Sequence, residues 1–154
     1  MYGDKLSSLS FADFEFIEEG TGIPVPGTLS FKDLDTIPEV GTTSVYWLFT
    51  PNSNAYDSVS GSVSIVVNRK PITISNKQYI SNYTYTSNPI SIPKKEDFII
   101  DVALDNPIFS FDWYDAKNNL LKEIPSNIGE YVLKVTIAES KNYSKGVLEV
   151  PVSI

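Results

Sequence analysis

Tyr46 and Leu48 are the residues whose types and spacing best suit recognition. They flank Trp47 in Val45-Tyr46-Trp47-Leu48-Phe49, and successive strand side chains point to opposite faces. With Trp47 and Phe49 directed inward, Tyr46 and Leu48 point out, and such a pair suits a contact surface. The ionisable residues offer less. Asp33/Asp35, Glu96/Asp97, or Asp112/Asp115 with Asn118 could give oxygen ligands to Ca²⁺, but none has the ligand spacing of an EF-hand loop. Two carboxylates hydrolyse a glycoside when held about 5–9 Å apart, yet the order of residues picks out no pair. Lys5 and Asn68 stand where an isopeptide bond could form beside a buried carboxylate. The sequons at Asn82 and Asn142 are short enough to arise by chance.

What is missing constrains the chemistry more. The chain of 154 residues contains 0 His and 0 Cys. The common catalytic triads and zinc sites therefore cannot be built, and disulfides are excluded. The expectation is a protein that is not an enzyme and uses no cofactor. A net charge of −7 argues against nucleic acid, which needs a Lys/Arg excess on some face. No apolar run approaches the roughly 20 residues that span a bilayer. Met1-Tyr2-Gly3-Asp4 does not open a signal peptide, so any export signal is expected outside this stretch.

The elements that position these residues are written twice. Ile37-Pro38-Glu39-Val40-Gly41 leads into Thr43, Val45, Trp47 and Phe49. Ile124-Pro125-Ser126-Asn127-Ile128-Gly129 leads into Tyr131, Leu133, Val135 and Ile137. A period of two counted from each glycine predicts a strand with one buried face. Each copy then has a polar hairpin ending in tyrosine, Tyr56 or Tyr143, and closes on an alternating strand. That placement suits a tyrosine corner, in which the hydroxyl returns to upstream main chain. Leu29-Ser30-Phe31 parallels Phe109-Ser110-Phe111, with Trp113 extending the second buried face. Trp113–Asn119 reads as a hairpin whose Asn pair suits positive φ. Phe11–Glu19 comes nearest to a helical stripe and reads equally well as strand.

Many short strands between turn signals predict an all-β chain, with Trp47 and Trp113 in the cores. Pro71 ends the first set of ladders, which divides the chain into residues 1–69 and 70–154. The first unit has no counterpart of Ile72–Asn82. It is expected to lack its first strand, leaving either an intermolecular strand pairing or a mobile, poorly packed margin along Val63–Val67 or Leu6–Phe11.

Several of these residues together resemble the bacterial immunoglobulin-like repeats, of the Big or MBG type, found in large cell-surface proteins. In the first unit they are Tyr2–Leu6, Val25–Phe31, Pro38…Gly41, Phe49-Thr50-Pro51 and Asn54-Ala55-Tyr56. In the second they are Tyr83-Thr84-Tyr85, Trp113-Tyr114-Asp115, Pro125…Gly129-Glu130-Tyr131 and Asn142-Tyr143. The resemblance implies two tandem immunoglobulin-like β-sandwiches serving as a structural or adhesion stalk. It implies an extracellular, cell-surface or secreted location, with neighbouring repeats of the same polypeptide as partners, and a host or cell-wall protein or glycan as a further candidate. The alternative reading is a carbohydrate-binding module attached to a secreted glycoside hydrolase, with a sugar stacked on the aromatic rings.

Overall fold

A computed structural model of the chain describes residues 1–10 and 14–154. The chain divides into two compact units, Met1–Lys70 and Pro71–Ile154. The regular structure among the described residues is β, apart from two three-residue 3-10 turns at Leu6–Ser8 and Lys95–Asp97.

In unit 1, β1 (Gly27–Phe31), β2 (Gly41–Pro51) and β3 (Val59–Val67) form one antiparallel sheet in the order β1-β2-β3. Gly41 starts β2 at φ 121°, backbone that a side chain would strain, and pairs with Val67. From there the period-two expectation holds. Val45 and Phe49 are buried, as are Phe31 on β1 and Val67 on β3, while Ser44 and Tyr46 are exposed. Leu6, carried by the first 3-10 turn, closes over Phe31 and Val45.

Trp47 departs from expectation: it is half-buried, at the margin of this small core. Its cross-strand partner is Gly61, where an added Cβ would stand 2.5 Å from the indole. The ring thus lies against bare backbone, and only glycine leaves it room. Above it stands Phe16, edge-on at 5.7 Å and stacked on Phe49 at 3.8 Å. A single aromatic side chain covers less of the indole than a packed sheet would.

The start of unit 1 builds no strand from Tyr2–Leu9. Leu6 N donates to Thr36 O and Ser7 N to Leu34 O, tying the 3-10 turn to the loop before β2. Tyr2 N donates to Asn68 O just beyond β3. Of the Phe11–Glu19 stretch, residues 11–13 lie outside the described residues. The remainder is not helical, and Ile17 makes an isolated antiparallel bridge with Pro24.

Unit 2 has two antiparallel sheets. β4 (Ile74–Asn76) pairs with β5 (Phe98–Ile100), and β6 (Phe109–Asp115), β7 (Glu130–Ile137) and β8 (Gly146–Ser153) run in the order β6-β7-β8. Apolar residues of both meet in one core that includes Ile74, Phe98, Trp113, Leu133, Val135 and Val152. Tyr79 joins it, with its ring 6.0 Å from Phe98 and 6.5 Å from Trp113. Its hydroxyl donates to Ser91 O at 2.8 Å, which satisfies the polar end of a buried ring. Beyond β4 the chain reaches the outer edge of β8. There Ser153 N donates to Ser81 O and Tyr83 N donates to Ser153 O, a parallel bridge at Asn82.

Two layers bury more than one. Leu133 and Val135 are 0% exposed, whereas the half-buried Val63 and Ile65 are the best that β3 offers between its ends. The fragment Pro71–Ile154 is therefore expected to unfold cooperatively on its own. Leu133→Ala should lower its stability by about 2–5 kcal/mol in urea titration, through the cavity left behind. Non-cooperative unfolding of the fragment would contradict the core assignment.

Candidate functional site

The outer face of the unit 1 sheet carries the sequence-predicted contact pair. Tyr46 is 60% exposed, and its neighbours across the sheet are Lys32 on one side and Ser62 on the other. Leu48 shares that face but is half-buried between Ser30 and Ser60. The two therefore differ: the ring of Tyr46 is offered to solvent, while Leu48 is partly covered. Ser44, Ser62 and Ser64 complete a surface of hydroxyl groups around the ring, without a carboxylate or ammonium on β3.

Beside Tyr46 opens a groove of about 390 Å³, lined by Leu6, Asp33, Ile37, Pro38, Glu39 and Tyr46 among others. Ile37 is 45% exposed. An open groove with an aromatic wall, an apolar floor and two acids can hold a small polar ligand by stacking and hydrogen bonding.

Three of the acids singled out for Ca²⁺ are otherwise engaged. Asp35 accepts a 2.7 Å hydrogen bond from Lys5 Nζ. That contact also turns the Lys5 ammonium to a surface carboxylate, without the buried setting that an isopeptide bond to Asn68 demands. Asp97 accepts from Lys94 N and Gln78 Nε2. Asp115 accepts from Lys117 N at 2.9 Å and Asn119 N at 2.8 Å, with the Asn119 amide bonded to both its oxygens. Among the described residues no three acidic side chains converge on one point. The Asp115 bonds close the expected hairpin: Asn118 adopts φ 63° and donates to Asp115 O, a turn ending in a left-handed residue.

Of the two recurring tyrosines, Tyr56 does not form the expected corner. Tyr56 is 37% exposed and edges a groove with Phe16 and Val25, and among the described residues its hydroxyl has no hydrogen-bond partner. Tyr143 packs half-buried against the unit 2 core. A tyrosine hydroxyl that returns upstream is that of Tyr131, which donates to Asn127 O at 3.0 Å. Sequence reasoning missed it because recurrence served as the signal, and the matching position in unit 1 is Thr43. Its place two residues after the turn glycine was the available clue.

No family model matches the chain, and no curated protein matches it.

Tyr131→Phe is expected to cost about 0.5–1.5 kcal/mol in chemical denaturation, the worth of one hydrogen bond. Tyr56→Phe should leave stability unchanged. Hydrogen bonds from Asn119, first from its side chain, hold the Asp115 carboxyl below its ordinary pKa. A depressed pKa contributes stability at neutral pH that is lost as pH falls through the folded-state value. Asp115→Ala should therefore lower the thermal midpoint at pH 7, and the gap from the parent chain should close in acid. An equal gap at both pH values would refute this role.

Proposed function

We propose that the chain is a non-catalytic structural module, two immunoglobulin-like sandwiches in tandem, of the stalk or adhesive kind carried by bacterial cell-surface or secreted proteins. The observation that carries the reading is the reuse of one frame. In both units a strand begins at or just after a glycine that follows a proline, and it is the centre of a three-stranded antiparallel sheet. Gly41 pairs with Val67, and Gly129 exchanges hydrogen bonds with Ile154. Two copies of one frame in a single chain are what a repeat array requires. The resemblance to Big and MBG repeats points the same way, and neighbouring repeats of the same polypeptide are the natural partners. With no His and no Cys, the groups that remain are suited to holding and contacting.

One observation favours a second reading, a carbohydrate-binding module. It is the exposed ring of Tyr46 beside its groove, within a surface of serine hydroxyls. A glycan array probed with the full chain separates the two. The structural reading expects no saturable binding to any sugar. Specific binding that disappears in Tyr46→Ala, with the fold intact by circular dichroism, would replace the first reading with the second.

A further inference from the structure

β3 is an edge strand, and nothing in its sequence guards it. Lys32 N donates to Tyr46 O and Asn52 N to Pro26 O, so even-numbered positions along β2 turn their main chain toward β1. Odd-numbered positions of β2 therefore face β3, and in the register Gly41↔Val67 the odd-numbered residues of β3 face back. The main-chain groups of Ser60, Ser62, Ser64 and Val66 point away from the sheet. Among the described residues none of them is bonded on that side. The next outward carbonyl, Asn68 O, is taken by Tyr2 N.

Unit 2 treats the same edge differently. Counting from Gly129 and Ile154 as from Gly41 and Val67, Glu149 stands where Ser62 does, Pro151 where Ser64 does, and Ser153 where Val66 does. A charge, a proline without an N–H, and a segment bonded across the edge are three ways to stop a strand from adding. β8 has all three. β3 has nine residues with no charge and no proline.

We propose that this edge is an interaction surface and that its occupant is a second copy of the chain, with β3 antiparallel to β3 about a two-fold axis at Val63. The register is self-complementary. Ser62 meets Ser64 of the second copy and Ser60 meets Val66, so outward-facing main chain meets outward-facing main chain. On the inner face Val63 lies opposite Val63 and Ile65 opposite Gly61. The Trp47 indole lies over Gly61, so the Ile65 side chain of the second copy stands at its outer edge, a β-branched against aromatic contact of the kind that stabilises sheets. Without charge in β3, the two copies approach without like-charge repulsion along the seam. The product is one continuous six-stranded sheet, isologous as two-fold contacts are.

Sedimentation equilibrium of the full chain, from micromolar to millimolar, tests this. A monomer–dimer equilibrium is expected, with new amide protection at Ser60, Ser62, Ser64 and Val66 in hydrogen exchange. Ser64→Pro and Ser62→Glu, which install the guards of unit 2, should each weaken dimerisation by at least about tenfold with unchanged circular dichroism. Should Ser64→Pro disturb folding, Ser62→Glu carries the test alone. A chain that stays monomeric at millimolar concentration overturns the proposal, as does dimerisation unaffected by Ser62→Glu. A monomer that instead captures a synthetic peptide of residues 72–83 would also overturn it, since the edge would then serve a foreign strand.

Discussion

A three-stranded antiparallel sheet has one apolar face, and that face must be covered before the sheet is worth forming. The rest of this molecule follows from how each unit meets that demand. Unit 2 lays a second small sheet, β4 with β5, over β6-β7-β8, and the residues between the layers reach full burial. Unit 1 uses a turn bearing Leu6 and an aromatic, Phe16, brought over the strands by the chain before β1. Both cover the face, but to different depth. Burial scales with area removed from water at roughly 25 cal/mol per Å², so the shallower cover leaves unit 1 with the weaker driving force.

The same difference reaches the edges. In unit 2 the segment that supplies β4 continues to Ser81–Tyr83, where it occupies the outer side of β8. One stretch of chain therefore both roofs the core and closes the margin. Unit 1, without an equivalent stretch among its described residues, leaves both tasks part-done. Trp47 stays half-buried and β3 keeps its outward hydrogen-bonding groups.

The strands were legible because a period of two, set by the turn glycines, decides which side chains face the core. Val45, Phe49, Leu133, Val135 and Ile137 are all buried as that period requires. The Asn118 turn was legible for a similar reason, since asparagine tolerates left-handed backbone. The depth of burial was not legible. Trp47 sits at an inward position, but what lies above it comes from residues far away in sequence. Hydroxyl partners were no easier to read. Tyr56 recurs in place without the expected bond, while the bonded Tyr131 has no aromatic counterpart in unit 1. The candidate surface was half legible: parity placed Tyr46 outside, and it could not foresee that Leu48 would be partly covered.

Tyr79 gives unit 2 an alkaline limit. Burial, then the neighbouring Tyr83 hydroxyl and the Asp97 charge, hold its phenol far above the ordinary tyrosine pKa. An unfolded chain releases that proton near pH 10, while the folded unit retains it. The raised value therefore contributes stability in full below that pH and loses it progressively above, as the unfolded state gains an ionised form that the folded state cannot match. Strong base thus withdraws this contribution at the centre of unit 2.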